Sequence, residues 1–237
     1  MKVAFFDLDG TLLDGDTDVM WSGVLTSKGV FTEADAAEFE RAYSSGQMDA
    51  EAFVARFLSP IKLCGLSQCE EWRDETLREH LIPKLSERMR VELEAHRERG
   101  HELVMATATN EFLVRPVAAH LGIEHVLASP AERGSAGYTG ARGGLACFRK
   151  EKLRRAEAWL HERGHDWNSS ETWFYSDSRH DLPLLGAVSH PFVVSPDEEL
   201  TRHAQQHSWP EISLHSSDPT SSFDKPIDPS EGDAASD

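Results

Sequence analysis

Short apolar runs alternate with amphipathic stretches along most of the chain. The run Lys2–Phe6 (KVAFF) is compact and stops at an acidic turn, which predicts a buried strand. Beyond residue 83, amphipathic stretches that stop at glycines predict helices, and the apolar runs between them predict strands. The predicted helices cover 84–98, 111–121 and 150–163, the predicted strands cover 102–107, 125–128, 172–176 and 191–194, and a glycine-rich hairpin or flap covers 134–146.

The block from residue 17 to residue 83 has a different pattern, because its apolar positions recur at intervals of three and four. Phe53 and Phe57 follow this spacing behind Asp49, a residue type favoured at helix N-caps. The block contains no convincing strand and is too long to be a loop. We therefore expect an inserted, small α-helical cap over 17–83.

Strands that alternate with helices at this spacing are typical of a parallel sheet wound in right-handed units. We expect an α/β fold with a doubly wound, mostly parallel sheet, whose catalytic core is formed by 1–16 and 84–214. The last residues, 215–237, hold six serines, three prolines, six acidic residues and one lysine. Such a segment has too few apolar groups to offset the entropy of ordering, so we expect a disordered acidic tail whose deletion barely changes stability or rate.

Composition narrows the class of protein. The chain carries 24 basic and 41 acidic residues, a net charge of −17 that repels a phosphate backbone and argues against nucleic-acid binding. No stretch approaches the roughly 18 apolar residues that a membrane span needs. Three cysteines are too few for a disulfide framework. These features together predict a cytoplasmic protein that binds neither membranes nor nucleic acid.

Oxygen-bearing side chains follow three predicted strands, at the edge where a doubly wound sheet binds its ligands. Asp7 and Asp9 follow the first strand within DLDGT, Thr107 ends the second, and Asp177 and Asp181 follow the strand TWFYS. Four carboxylates and a hydroxyl at one edge supply the oxygen ligands that Mg²⁺ requires. The sequence therefore predicts a divalent-cation site there.

The spacing of Asp7 and Asp9 suits phosphoryl transfer. Two residues separated by one position share a face, and Gly10 lets the chain turn sharply beside them. One carboxylate can attack phosphorus and form an aspartyl phosphate, while the other gives a proton to the leaving oxygen and later takes one from water. Because a carboxylate is repelled by a phosphate dianion, this chemistry needs Mg²⁺ and a lysine, either Lys150 or Lys152.

The ordered set of DLDGT, a strand ending in Thr107, an upstream lysine and DSRHD resembles the four motifs of the haloacid dehalogenase (HAD) superfamily. Within it, the chain resembles the phosphoserine phosphatase-like branch, which carries a small helical cap after the first strand. The segment TGARGGLACFRKEKL, followed by YSDSRHDLPLL, is similar to the corresponding segments of a bacterial group of that branch, some members of which are named histidinol-phosphatases. The similarity covers residues 1–212.

The resemblance implies a Mg²⁺-dependent phosphatase in which Asp7 is the nucleophile and a metal ligand. It makes Asp9 the general acid and base, with its backbone carbonyl on the metal. By the same resemblance, Thr107, Ala108 and Lys152 would bind the phosphoryl group, and Lys152 fits the family's pattern better than Lys150. Asp177 would ligate the metal, and Asp181 would orient the lysine or a metal-bound water.

The resemblance also places Asp16 where members of the branch have an acid that meets the substrate's amino group. An acidic cluster there favours a cationic amine beside the phosphate. We therefore expect a small phosphorylated metabolite as partner, an amino-alcohol or amino-acid phosphate such as histidinol phosphate or phosphoserine. Asp14 and Asp18 fit helix N-capping as well as a substrate role. Arginines of the cap that could bind a substrate carboxylate, without a clear motif match, are Arg41, Arg56 and Arg73.

Three alternatives remain open at the level of the sequence. The same aspartyl-phosphate chemistry serves a phosphotransferase or phosphomutase, and the same fold could serve a catalytically silent binding protein. His161 and His165 match the zinc-protease pattern HExxH, although Gly164 falls where that helix should end. The sequence leaves the oligomeric state as monomer or homodimer.

Overall fold

The structure is a computed structural model that describes residues 1–44, 49–216 and 220–223. Six parallel strands form one sheet in the order β3-β2-β1-β6-β7-β8, and two further strands form an antiparallel hairpin. In chain order the strands are β1 (Lys2–Phe6), β2 (Glu102–Asn110), β3 (His125–Ser129), β4 (Ala131–Gly134), β5 (Gly137–Arg142), β6 (Glu171–Ser176), β7 (His190–Val194) and β8 (Glu211–Ile212).

Nine α-helices lie within the described residues. They are α1 (Thr17–Ser27), α2 (Glu33–Ser44), α3 (Ala50–Cys64), α4 (Leu66–Thr76), α5 (Glu87–Glu98), α6 (Glu111–His120), α7 (Lys150–His161), α8 (Leu182–Leu185) and α9 (Glu198–Gln206). A π-helical turn (Leu77–Leu81) and a 3-10 turn (Ile82–Lys84) connect α4 to α5, and a second 3-10 turn (Arg179–Asp181) precedes α8.

The central strand β1 shows how the sheet divides the core into two layers. Its side chains alternate between the two faces, so Val3 and Phe5 join one apolar cluster while Ala4 and Phe6 join the other. Helices α7, α8 and α9 supply the first cluster, and α1, α3, α5 and α6 supply the second. The prediction of a doubly wound, mostly parallel α/β sheet is confirmed.

The helical block lies between β1 and α5, as expected from its periodicity. Asp16 and Asp49 cap α1 and α3, with their carboxylates accepting hydrogen bonds from backbone N–H groups of the first turn. The Trp21 indole N–H donates to the Phe57 carbonyl at 3.3 Å, and its ring meets Phe112 of α6 edge-on. The apolar core of these helices is thus continuous with one face of the sheet, and the boundaries of a separate cap at 17 and 83 stay a prediction.

The hairpin of β4 and β5 ties the helical block to the sheet. The Ala146 N–H, just after the hairpin, donates to Glu51 Oε1 of α3 at 2.8 Å, and Arg142 pairs with the same carboxylate. The hairpin lies near the glycine-rich stretch where the sequence predicts one, but it begins earlier, at Ala131.

Three elements differ from the sequence-based expectation. Strand β2 continues to Asn110, past the predicted end at residue 107, because Thr109 extends a run of strand-forming residues. Helix α9 and strand β8 were not predicted. Helix α9 has only nine residues, of which Leu200 and Ala204 are buried, and β8 has two residues.

The C-terminal segment contacts helix α5. The backbone N–H and the hydroxyl of Ser222 donate to the Glu92 carboxylate at 2.9 and 2.7 Å. The Phe223 ring lies edge-on to His96, with ring centroids 4.7 Å apart. Residues 222 and 223 of the predicted tail thus contact the core, and the disorder of the tail stays a prediction.

The remainder of the predicted tail, 217–219 and 224–237, lies outside the described residues. Within the described part of the chain, the helices are all too short or too polar to cross a membrane. Neither observation bears on the site, which is formed by the described core and helical block.

Candidate active site

The carboxyl ends of β1, β2 and β6 meet at one edge of the sheet, below the helical block. These three strands are neighbours in the sheet, so the residues that follow them lie close together. Asp7 follows β1, Thr107 lies near the end of β2, and Asp177 follows β6. All three line one cleft, together with the other predicted site residues: Asp9, Asp16, Ala108, Lys152 and Asp181.

A buried lysine forms the floor of this cleft. Lys152 Nζ lies 3.1 Å from Asp7 Oδ1 and 2.7 Å from Asp181 Oδ2, and both pairs are almost fully buried. The Ser176 hydroxyl donates to the same Asp181 oxygen at 2.7 Å. Lys150, two residues earlier in α7, is exposed. The geometry thus favours Lys152 over Lys150 as the lysine beside the nucleophile position.

Two donors hold the Asp9 carboxylate in place. The Thr17 N–H donates to Asp9 Oδ1 at 2.6 Å, and the Thr109 hydroxyl donates to Oδ2 at 2.7 Å. Burial raises the pKa of Asp9, and these hydrogen bonds lower it. Asp9 is thereby linked to both the first turn of the helical block and the end of β2.

A close approach of two loops places Asp177 beside the turn after β1. The Thr11 hydroxyl donates to Asp177 Oδ1 at 3.0 Å, and the Asp177 N–H donates back to that hydroxyl at 3.0 Å. Gly10 has φ +71°, and a Cβ at this position would lie 2.3 Å from Asp177 Oδ2. Only glycine therefore permits both the turn and the approach of the carboxylate.

The cleft carries an excess of buried negative charge. Burial raises the pKa of Asp7 well above its ordinary value, although the Lys152 ammonium acts in the opposite direction. Burial also raises the pKa of Asp177, to about 7. For Lys152, burial would lower the pKa, but the Asp181 and Asp7 carboxylates outweigh it and raise the pKa. The cleft thus contains one lysine and several carboxylates, so its electrostatic potential favours the binding of a further cation.

Thr107 and Ala108 occupy the end of β2 beside Asp7. The Thr107 hydroxyl oxygen accepts a hydrogen bond from the Thr109 N–H at 3.2 Å, which leaves its own proton to be donated into the cleft. The Ala108 carbonyl accepts from the Ser129 hydroxyl. This stretch of β2 is thereby fixed at the cleft wall.

Comparison with known proteins identifies the family of the chain. The sequence model of the haloacid dehalogenase-like hydrolases matches residues 4–186. The chain belongs to this family. Its resemblance to the HAD superfamily, expected from the four motifs, is confirmed, and the chain is a HAD-type enzyme.

Three relatives show how far the likeness extends. A histidinol-phosphatase of Neisseria meningitidis is 37% identical over 219 residues, which cover 90% of this chain and 99% of the relative. A protein of unknown function from Bordetella pertussis has a crystal structure with TM-score 0.83 and 32% identity, covering 90% of this chain and 98% of that one. A substrate-bound phosphoserine phosphatase shares the fold, with TM-score 0.64 and 15% identity, covering 92% of this chain and 94% of that one.

The donor set at the strand ends of this HAD enzyme fits Mg²⁺. Asp7 and Asp177 offer carboxylate oxygens and Asp9 offers a backbone carbonyl, all hard donors of the kind that Mg²⁺ binds. Among the described residues, no three His, Cys, Asp or Glu side chains are arranged to hold a metal by themselves. A main-chain oxygen and water would therefore have to complete the coordination, and the excess negative charge of the cleft favours such a cation.

The zinc alternative does not fit the structure. Helix α7 ends at His161, and Gly164 with φ +75° turns the chain before His165. The two histidines therefore do not lie one turn apart on a continuous helix, as the HExxH chemistry requires.

Sequence reasoning gave no role to several residues that shape this HAD site. Thr11, Thr109 and Ser176 orient Asp177, Asp9 and Asp181, as described above. Their only signal in the sequence is that Thr11 and Ser176 lie within two residues of motif aspartates and that Thr109 lies two residues after Thr107.

Proposed function

We propose that this HAD enzyme hydrolyses a small phosphate monoester through a phosphoryl-aspartate formed on Asp7. One observation carries the proposal: Lys152, buried at the floor of the cleft, lies between Asp7 and Asp181. A lysine in this position can neutralise a phosphoryl group that Asp7 attacks. Asp9, on the same turn, supplies the second carboxyl that the reaction needs.

In the first step, an Asp7 carboxylate oxygen forms a bond to phosphorus while the bond from phosphorus to the ester oxygen breaks. The electron pair of that bond stays on the leaving oxygen, which takes a proton from the Asp9 carboxyl. Thr17 N–H and Thr109 hold Asp9 in place for this transfer. The products of the step are a free alcohol and an aspartyl phosphate on Asp7.

In the second step, water attacks phosphorus and the bond from phosphorus to Asp7 breaks. Asp9 now accepts the proton that the attacking water loses, so each residue is restored and inorganic phosphate leaves. The raised pKa of Asp9 suits this double role, because burial opposes a permanent charge on the carboxyl.

The remaining motif residues would bind the phosphoryl group and the metal. The Thr107 hydroxyl and the backbone N–H of Ala108 would donate to phosphoryl oxygens, and Asp181 would hold Lys152 in place. Mg²⁺, held by Asp7, Asp177 and the carbonyl of Asp9, would supply electrostatic stabilisation of the negative charge on the transferring group.

We infer that the substrate carries an amine. Asp16 lines the cleft, and burial, followed by the nearby Asp9 carboxylate, raises its pKa to about 7, so a cation beside it would be favoured. The chain is 37% identical to a histidinol-phosphatase and shares the fold of a phosphoserine phosphatase, and the substrates in both names are phosphorylated amines. An amino-alcohol or amino-acid phosphate is therefore the class that we propose.

The experiment measures phosphate release with Mg²⁺ from histidinol phosphate, phosphoserine, phosphoethanolamine, sugar phosphates and nucleotides. Asp7→Asn is expected to lower the rate at least about a thousandfold, because it removes the nucleophile. Asp14→Asn is the matched control, since Asp14 belongs to the same loop but has a side chain that is 56% exposed. Comparable activity in Asp7→Asn would overturn the mechanism. Phosphoryl transfer to an added alcohol, in place of release, would favour a phosphotransferase.

A further inference from the structure

Asp18, in the first turn of α1, is buried against the cleft without a full set of partners. Its residue is 8% exposed and it lines the same cleft as Asp7 and Asp9. One of its carboxylate oxygens, Oδ1, is buried and meets no hydrogen-bond donor among the described residues. Helix capping does not explain it, because Asp16 caps α1 by accepting from the Val19 N–H at 2.8 Å.

Such an arrangement is costly unless a ligand completes it. A carboxylate oxygen that is taken out of water without a donor loses its hydration, and neighbouring carboxylates add repulsion. Burial raises the pKa of Asp18 well above its ordinary value, and the Asp16 and Asp9 carboxylates raise it further, although a hydrogen bond with the Thr109 side chain acts in the opposite direction. Groups of this kind persist where function requires them, because the ligand supplies the missing partner.

The charge of the missing partner follows from what surrounds Asp18. Asp16 lines the cleft beside it, so a ligand group between them meets two carboxylates. An ammonium group offers both the opposite charge and the N–H donors that Asp18 Oδ1 lacks. The neighbouring wall, formed by Ala50, Phe53 and Val54, is apolar and suits the carbon chain that joins an amine to a phosphate.

A carboxylate group on the same substrate would meet few basic side chains in the cleft. Of the described residues that line the cleft, only Lys152 and His180 are basic. Lys152 is already held by Asp7 and Asp181. Burial lowers the pKa of His180, and the positive charge of Arg149, whose Nε donates to His180 Nδ1 at 3.4 Å, lowers it further, which disfavours a charged ring.

The arginines of the helical block do not offer a positive charge to a substrate carboxylate either. Arg56 pairs with Asp35, Arg73 pairs with Asp74, and none of the arginines of the described helical block lines the cleft. The segment between α2 and α3 that lies outside the described residues, 45–48, contains no basic residue in its sequence.

We propose that Asp18 binds the ammonium group of the substrate together with Asp16, and that the cleft selects a phosphorylated amine that lacks a carboxylate. The proposal rests on the phosphatase function proposed above. It adds a specificity residue, and it favours an amino-alcohol phosphate over an amino-acid phosphate.

The test uses three substrates that differ by one group. Phosphoethanolamine carries the amine, n-propyl phosphate replaces the amine by a methyl group of similar size, and phosphoserine adds a carboxylate. For the unaltered enzyme, kcat/KM is expected to be at least tenfold higher for phosphoethanolamine than for either of the others. A phosphoserine value equal to or above that of phosphoethanolamine would overturn the selectivity.

The variant Asp18→Asn keeps the shape of the side chain and removes its charge. It is expected to lower the kcat/KM ratio of phosphoethanolamine to n-propyl phosphate at least tenfold. Asp14→Asn, a change of the same kind in an exposed acid of the preceding loop, should leave that ratio unchanged. Equal ratios in Asp18→Asn and Asp14→Asn would overturn the role of Asp18.

Thermal unfolding separates this role from a structural one. Because Asp18→Asn removes a buried charge, its melting temperature without substrate should equal or exceed that of the unaltered enzyme. A lower melting temperature with an unchanged substrate ratio would show that Asp18 serves the fold, and would contradict the proposal. If the folded enzyme releases phosphate from no monoester at all, the proposed phosphatase function is wrong. If it releases phosphate but Asp18→Asn leaves the kcat/KM ratio of phosphoethanolamine to n-propyl phosphate unchanged, only the proposal for Asp18 is wrong.

Discussion

At the scale of single residues, Lys152 shows how much one buried charge organises. Its ammonium lies between the Asp7 and Asp181 carboxylates, all three are buried, and Ser176 holds the Asp181 oxygen that Lys152 contacts. A buried charge is tolerated only when it is paired and hydrogen-bonded, and this one is. The resemblance to the family favours Lys152 over Lys150 at this position, and the role of Lys152 in the reaction stays a prediction.

The pair Lys152→Met and Lys150→Met tests that assignment. Both changes remove an ammonium from the first turn of α7, but only Lys152 contacts Asp7. We expect Lys152→Met to lower kcat/KM for phosphate release at least about a hundredfold, because a donor to the transferring group is typically worth that much. Lys150→Met should stay within about twofold, as a surface substitution does. Equal losses in the two variants would contradict the placement of the lysine.

Other residues of the site were beyond the reach of the sequence. Asp18 and Asp14 flank the same short segment and have the same side chain, yet one is buried in the cleft and the other is exposed. Which acid faces the cleft depends on where α1 begins and how it is rotated, and a motif does not carry that information. The position of Thr109 at the site could not be predicted for a similar reason, since β2 continues past its predicted end.

At the scale of elements, the C-terminal segment contacts helix α5. Two hydrogen bonds join Ser222 to Glu92, and the Phe223 ring lies 4.4 Å from the guanidinium carbon of Arg99. Glu92 is itself paired with Arg88 in a buried ion pair. The segment therefore completes a polar network on the core that the helix alone leaves open.

Two truncations test this contact. Deleting 217–237 removes Ser222 and Phe223, whereas deleting 224–237 keeps both. We expect the longer deletion to lower the free energy of unfolding by about 1–3 kcal/mol, because it removes a half-buried aromatic ring and two hydrogen bonds to a charged group. The shorter deletion should leave it unchanged. Denaturant unfolding measures both, and equal stabilities would contradict the docking of the segment.

A buried histidine in α5 makes a second prediction at this scale. His96 Nδ1 lies 2.7 Å from His101 Nδ1, and its Nε2 lies 2.9 Å from the Tyr175 hydroxyl. Burial, followed by the neighbouring His101, lowers the pKa of His96 to about 3. The folded protein thus keeps this ring neutral at pH values where the unfolded chain protonates it.

The sign of the effect follows from linkage. Between pH 6.5 and about 3, the unfolded state binds a proton at His96 that the folded state does not, so this residue's contribution to stability falls as the pH falls. Between pH 7 and pH 5, the contribution of His96 to the free energy of unfolding should fall by about 2 kcal/mol. His96→Gln, which does not titrate, should remove that part of the pH dependence in denaturant unfolding. An unchanged difference between pH 7 and pH 5 in the variant would contradict the neutral state of His96.

At the scale of the whole molecule, the sequence predicted the arrangement of the catalytic layer better than its surroundings. Strand β1 and the alternation of strands with helices are strong periodic signals, so the parallel sheet and the carboxylates at its edge could be predicted. Helix α9 is short, and the docking of residues 220–223 depends on long-range contacts that leave no local pattern. Oligomeric state and cellular location stay predictions from composition.

The proposed mechanism requires that the phosphoryl group be transferred to Asp7 before it reaches water. The most direct measurement is to mix the enzyme and Mg²⁺ with a substrate carrying a labelled phosphoryl group, quench with acid within one turnover, and map the label by mass spectrometry. We expect a label on the peptide containing Asp7 that is stable in acid, is released by hydroxylamine as an acyl phosphate should be, and is absent in Asp7→Asn. Turnover with the label on another residue, or turnover that persists in Asp7→Asn, would contradict the mechanism.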